Sequence, residues 1–294
     1  MESVVVVVGE VLWDVFDGAT LLGGAPLNFA VHARRMHFHP LLISALGTDA
    51  LGQKAMNCIT GLGLDLSMLR WSKRWSTGTA TVTIGENGQP AFRIARPAAY
   101  DDLSLTAEEL GTVARLNPAW FYYGTLFAST REGRATLQQL LDAMPKAARF
   151  YDVNLRPGFD SPELVKELLA AANVVKMNET EAEVVASRLC LPSNLESFCR
   201  SGVDRFGWRA VCVTLGERGC VMFDGKEFVT APSERIEVAD TVGSGDAFAA
   251  AFVHGLTNGW PAAKIAKFAN RVGALIASRA GAIPEWSMGE AVTG

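Results

Sequence analysis

Asp240-Thr241-Val242-Gly243-Ser244-Gly245-Asp246 is the stretch that decides how this chain is read. A strand-like run, Arg235 to Ala239, precedes it. An Ala/Phe-rich stretch, Ala247 to Leu256, follows as a predicted buried helix. Two glycines around a serine let the backbone turn tightly and leave its N–H groups uncovered. Where such a turn opens a helix, those N–H groups and the positive helix end make an anion site. Asp246 stands where loop becomes helix, so a carboxylate lies beside the cradle. That pairing suits phosphoryl transfer to a hydroxyl: the cradle holds phosphate and the carboxylate takes the proton. The plainer alternative is an N-capping Asp after a glycine-rich turn. The rest of the chain chooses between them.

With 294 residues, 49% hydrophobic and 20% charged, the chain can bury a sizeable core. A net charge of −4 gives no argument for nucleic acid or an anionic membrane. The Val4–Val8 run is too short to span a membrane and has no basic segment before it, so no signal peptide is expected. Cys58, Cys190, Cys199, Cys212 and Cys220 lack C-x-x-C spacing. They read as core thiols in a reducing compartment, the cytoplasm, rather than as disulfides or a zinc site.

Outward from the opening stretch, strands and helices alternate. Val4 to Val8, Leu41 to Leu46, Trp120 to Tyr123, Arg149 to Val153, Val174 to Met177 and Ala210 to Thr214 are predicted strands. Between them Asn28 to Met36, Leu51 to Gly61, Thr106 to Leu116, Arg131 to Met144, Pro162 to Ala172 and Thr180 to Leu189 are predicted helices, and Ala262 to Ser278 closes the chain. This is the α/β rhythm. Thr77 to Ile94 breaks it: alternating residues flank Glu86-Asn87-Gly88-Gln89, a hairpin signal. Asp17-Gly18 is another turn signal. A hairpin inserted in such a protein reads either as a lid over a cleft or as a plain surface ribbon.

Polar groups follow strand after strand: Asp14, Gly124-Thr125, Asp152-Val153-Asn154, Asn178, Thr214-Leu215-Gly216 and Asp240 to Asp246. If the strands are parallel, these loops share one sheet edge, where doubly wound folds bind ligands. Asn178 and Glu181 open a helix three residues apart. That spacing serves a helix cap, and also a hydrated magnesium ion beside phosphates. Gly23-Gly24-Ala25-Pro26-Leu27-Asn28 can bring backbone near a small ligand, with Asn28 and Asp14 binding its hydroxyls. Trp13 serves a pocket wall or a core equally well. No P-loop, no dinucleotide G-x-G-x-x-G and no G-x-S-x-G elbow is present.

Together these residues make the chain resemble the ribokinase-like (PfkB) carbohydrate kinases over nearly its whole length. Asp240 to Phe248 is similar to the family's C-terminal signature, and Gly24 to Asn28 to its N-terminal one. One departure is His37, where many members carry glycine. The resemblance implies a three-layer α/β/α fold with a mostly parallel central sheet and a small β-lid. It also implies one kinase domain over residues 1–294, its lid formed by about 11–23 and 76–97. Asp246 would be the catalytic base, with Gly243, Ser244 and Gly245 as the cradle. Asp14, Gly24, Asn28 and Arg156 would bind sugar. Asn178, Thr214, Gly216, Gly219 and Asn270 would meet ATP. Glu181 would reach magnesium through water, and Asp240, Val242 and Gly281 match the potassium site of members that need it. The partners implied are ATP and a sugar, with a homodimer through the lid. Gly23-Gly24-Ala25-Pro26 and Asp152-Val153-Asn154-Leu155-Arg156 look most like fructokinases; ribose, 2-keto-3-deoxygluconate and nucleosides are other family substrates. Arg93 or Arg96 on the lid side could receive an anionic sugar, although such arginines are more often solvated. A helix-terminal Asp246 is expected to cap its helix and to be held ionised there, as a weak base.

Overall fold

The computed structural model describes residues 2–16, 19–84 and 90–293. The turns at Asp17-Gly18 and Glu86 to Gln89 lie outside the described residues. In chain order the strands are β1 (Ser3–Val8), β2 (Leu12–Phe16), β3 (Ala19–Gly23), β4 (Phe38–Gly47), β5 (Leu69–Ser72), β6 (Gly78–Ile84), β7 (Pro90–Ile94), β8 (Trp120–Gly124), β9 (Ala148–Asp152), β10 (Val174–Asn178), β11 (Ala210–Thr214), β12 (Cys220–Phe223) and β13 (Phe228–Ala231). The helices are α1 (Ala25–Arg35), α2 (Ala50–Gly61), α3 (Ala107–Arg115), α4 (Thr125–Ala128), α5 (Arg131–Ala143), α6 (Pro162–Ala171), α7 (Glu179–Leu189), α8 (Leu195–Phe206), α9 (Ser244–Thr257), α10 (Ala262–Ala277) and α11 (Met288–Thr293).

Strands β13-β12-β11-β10-β9-β8-β1-β4-β5 form one sheet. It is parallel from β11 through β5, with β12 and β13 added antiparallel. The interior strand β1, third from the β5 edge, explains the uninterrupted valines. Val5 and Val7 join the core under α1, α2, α9 and α10, whereas Val6 and Val8 join the core under α3, α5, α6, α7 and α8. Side chains alternate across a strand, so a strand covered on both faces needs apolar residues at every position. Each buried valine is worth about 1.5–3 kcal/mol of transfer free energy.

The hairpin pairs with β2 and β3 as a second sheet, β3-β2-β6-β7. In it β2 runs parallel to β6, and β2–β3 and β6–β7 are antiparallel. The chain leaves β1 at Gly9 and enters this sheet before returning through α1, so β1, β2 and α1 converge on one place.

Two readings are corrected, and one helix is added. Arg235 to Ala239 is not a strand: Val238 is 58% exposed, and the segment is tied only at its end, where Ala239 and Asp240 donate to the Ala277 carbonyl. Its apolar residues have no sheet neighbour to bury them. Cys58 and Cys190 are exposed rather than core thiols, while Cys199, Cys212 and Cys220 are buried. Helix α8 was legible and unread: Leu195, Phe198, Cys199, Gly202, Val203 and Phe206 recur at helical spacing after an Asn194 cap.

Candidate active site

The parallel strands bring their C-terminal ends to one edge, and a cavity of about 280 Å3 opens there. Its wall includes Glu10 after β1, Asp14 from β2, Gly24 and Asn28 from the start of α1, and Asn154 and Arg156 after β9. Lys176 and Asn178 from β10, Glu181 from α7, Thr214 from β11, and Val242, Gly243, Gly245 and Asp246 complete it. Ala80 and Ile94 of the small sheet close one side.

Backbone shape sets the cradle. Gly243 caps α9 at φ 78°, a left-handed conformation that L side chains avoid, and a Cβ there would lie 2.2 Å from the Ala282 carbonyl oxygen. Ser244 turns its hydroxyl back to the Thr241 carbonyl at 2.7 Å and does not face the cavity. Gly245 lies in the first turn of α9, where no helical carbonyl reaches its N–H.

Asp246 lies in that first turn, and its side chain does not cap the helix. Instead Asn28 Nδ2 donates to its Oδ2 at 2.8 Å. The expectation of a capping, firmly ionised carboxylate is therefore corrected. Asp246 keeps surface toward the cavity but is otherwise enclosed, and burial, followed by the neighbouring Asp152 charge, raises it from 3.8 to about 7. That change corresponds to about 4 kcal/mol, several times the ~0.3–1 kcal/mol a helix N-terminus supplies. Desolvation wins over the dipole. A carboxylate poised near neutrality is a better proton acceptor than the weak base expected.

Its neighbours share the effect. Burial raises Glu10 to about 7 and Asp14 to about 6, each partly offset by Arg156. Lys176 Nζ sits 3.1 and 3.3 Å from the two Asp152 oxygens. Burial alone would lower this lysine, but Asp152, Glu181 and Asp246 together outweigh it and keep the ammonium charged. A Cβ on Gly245 would lie 3.3 Å from Lys176 Nζ, so a buried cation stands beside the cradle. Asn28 Oδ1 is buried without a partner among the described residues.

Asn178 and Glu181 form a full capping box, with reciprocal bonds of 2.8 and 2.9 Å. The second Glu181 oxygen accepts from the Leu155 amide at 2.9 Å. Each oxygen holds one N–H and retains a lone pair, which fits a water of a hydrated cation better than direct ligation. Asp240 clasps two segments, accepting from Val242 N and Gly281 N, both at 3.0 Å.

Other expected residues stand away from the cavity. Asn270 donates to the Ala231 and Pro232 carbonyls at 2.8 and 3.3 Å and so fixes the exit from β13. Gly216 and Gly219 shape the turn between β11 and β12. Trp13 belongs to the core, with its indole on the Leu51 carbonyl and Lys54 over its ring. Arg96 is neither solvated nor available to a ligand, being buried against Asp101, the Leu126 carbonyl and Ser129. Arg93 is exposed on β7. Thr125 is buried against Tyr151 and Val153. Glu10 and Lys176 were missed by sequence reasoning. Glu10 follows β1 after Gly9 and was a findable strand end, whereas Lys176 lies inside an apolar strand and gave no signal.

Comparison with known proteins agrees with this geometry. The profile described as pfkB family carbohydrate kinase matches residues 5–287. Fructokinase-1 of Zea mays is 27% identical over 277 residues, covering 89% of this chain and 84% of that protein. The structure of fructokinase with bound ATP from Xylella fastidiosa superposes with a TM-score of 0.86 at 19% identity, covering 100% of this chain and 98% of the other. That of 2-dehydro-3-deoxygluconokinase from Thermotoga maritima gives 0.86 at 19% identity, covering 99% and 98%. The fold is ribokinase-like, and with its glycine-turn cradle, buried Asp246 and near full-length profile match the chain belongs to the pfkB family of carbohydrate kinases.

Proposed function

We propose that the protein transfers the γ-phosphoryl group of MgATP to a hydroxyl of fructose. One observation carries this reading: a carboxylate poised near pH 7, Asp246, is set into an anion cradle and held by Asn28. The fructokinase name of the Zea mays relative supports the choice of sugar.

Asp246 accepts the proton of the attacking hydroxyl as its oxygen bonds to the γ-phosphorus and the bond to ADP breaks. Asn28 Oδ1, unpartnered among the described residues, accepts from a sugar hydroxyl, and Asp14 and Arg156 hold others. The N–H groups of Gly243 and Gly245, with the Lys176 ammonium, meet charge on the transferred phosphoryl. Magnesium, when bound near Asn178 and Glu181 through water, would offset charge on the ATP phosphates. Thr214 lines the nucleotide end of the cavity, Gly216 and Gly219 shape the turn that follows it, and Asn270 would meet ATP from the β13 exit that it fixes. Asp240, Val242 and Gly281 are the candidate potassium site.

The single domain carries the small sheet as a lid. Leu21, 45% exposed on β3, would lie in a homodimer contact through it. Free thiols suit the cytoplasm, and among the described residues no helix is long and apolar enough to cross a membrane.

A second reading rests on Arg156. A guanidinium in the cavity wall suits the carboxylate of an acid sugar such as 2-keto-3-deoxygluconate. Glu10, Asp14 and Asp246 in the same wall favour a neutral one. A non-catalytic sensor would have no use for a base poised near neutrality. An ADP-release assay across fructose, ribose, 2-keto-3-deoxygluconate and nucleosides decides: fructose should give the highest kcat/KM. ATP binding without turnover on any of them would sink the kinase reading.

A further inference from the structure

His32 is a buried histidine that the proposed chemistry does not use. It lies on α1, one turn beyond Asn28, with no exposed surface. Trp286 Nε1 donates to its Nδ1 at 3.0 Å. An indole N–H only donates, so Nδ1 is the acceptor and the ring proton sits on Nε2. Burial lowers the imidazole to about 4, which keeps it neutral. Nε2 then donates to the Ala282 carbonyl at 3.0 Å.

That oxygen is also the first atom a Cβ on Gly243 would meet, at 2.2 Å, and Gly243 is the residue whose left-handed turn opens α9. The adjacent Gly281 donates to Asp240, and Arg35 of α1 donates to the Ile283 and Pro284 carbonyls. One face of α1 therefore reaches both sides of the cradle. Asn28 holds Asp246 directly, and His32 fixes the Ala282 carbonyl oxygen that fills the space beside the Gly243 turn.

We infer that His32 is a positioning residue that sets the Gly243 turn through the Ala282 carbonyl and so governs the ATP side of the cavity. The inference rests on the phosphoryl-transfer reading above. It predicts a difference between two small variants. In His32→Gln the amide nitrogen reaches the place of Nε2 and keeps the Ala282 bond. In His32→Asn the shorter amide reaches only the place of Nδ1 and loses it.

Steady-state kinetics with ATP and fructose varied separately reads the difference. His32→Asn should raise KM for ATP at least 10-fold while KM for fructose stays within threefold, and His32→Gln should keep both within threefold. Equal behaviour of the two variants, or an unchanged KM for ATP in folded His32→Asn, overturns the inference. Should circular dichroism show both unfolded, Trp286→Phe takes their place. It removes the donor that fixes the ring and should raise KM for ATP at least threefold; no rise overturns the inference. Wild-type protein that binds ATP but turns over no sugar strikes the kinase reading alone, and ATP dissociation constants by calorimetry then read the same 10-fold contrast. Wild-type protein that binds no ATP overturns both.

Discussion

Replacing Asn28 by alanine should move the acid limb of the pH–rate profile. Asn28 Nδ2 donates to Asp246 Oδ2 at 2.8 Å, and this bond is stronger to the ionised carboxylate than to the neutral acid. Hydrogen bonds to charged groups contribute about 1.5–3 kcal/mol net, against about 1 for neutral ones. Losing the difference, about 1.4 kcal/mol, raises the Asp246 pKa by about one, from about 7 to about 8. At pH 7 the ionised fraction then falls from about one half to about one tenth, so base function drops about fivefold. On the proposed reading the variant also loses a contact to the sugar, and that loss is the same at every pH. The assay is kcat/KM for fructose from pH 5.5 to 9.5 by ADP release. Wild type should rise through a midpoint near 7, and Asn28→Ala near 8, with part of its deficit recovered at pH 9. A uniform drop with an unmoved midpoint would refute the argument, because Asp246 would then not be the titrating base.

Asp246→Asn should lose turnover while ATP affinity, read by calorimetry, stays within about threefold. It should also stabilise the fold. A carboxylate raised in the folded state binds its proton more tightly there, so its cost is full above about pH 7 and fades as pH falls toward 3.8. The Asn variant should therefore melt about 4–8 °C higher at pH 8, for a gain of about 2–4 kcal/mol, and no higher at pH 4; an equal gain at both pH values would contradict the assignment. Lys176→Met leaves Asp152 buried and unpaired and should cost about 3–5 kcal/mol in urea denaturation. Adding Asp152→Asn should return most of it, and no recovery would count against the pairing. His37 occupies φ 63°, a left-handed position costing an L residue about 1–2 kcal/mol. His37→Gly should stabilise by about 0.5–1 kcal/mol after the flexibility of glycine in the unfolded chain is counted; a net loss would show that the His37 side chain contributes more than its backbone costs.

Much of the design was local and so legible. Strand and helix periods, the capping boxes at Thr106–Glu109 and Asn178–Glu181, and the glycine turn before Asp246 depend on residues within a few positions of one another. Parallel strands then place consecutive loops on one edge, which grouped Asp14, Asn178 and Asp246, and the family resemblance added Asn28 and Glu181; all five line one cavity. The departure at His37 was visible for the same reason, as a single residue in a turn that wants glycine.

Environment was not legible, because it depends on what distant segments bring. Sequence alone put a carboxylate at the start of α9. Only packing enclosed Asp246, set Asp152 and Lys176 beside it and hung Asn28 over it from 218 residues away, which turned an expected weak base into one poised near neutrality. Lys176 and His32 sit inside apolar patterns, where nothing distinguishes a functional side chain from a core one until its partners are known. Arg96 and Asn270 show the converse: both sat at expected positions, and tertiary contacts bound them to carbonyls and a carboxylate of the scaffold. The order of residues along the chain determined which groups reach the sheet edge; desolvation and partner choice, which are properties of the whole fold, decided what those groups can do.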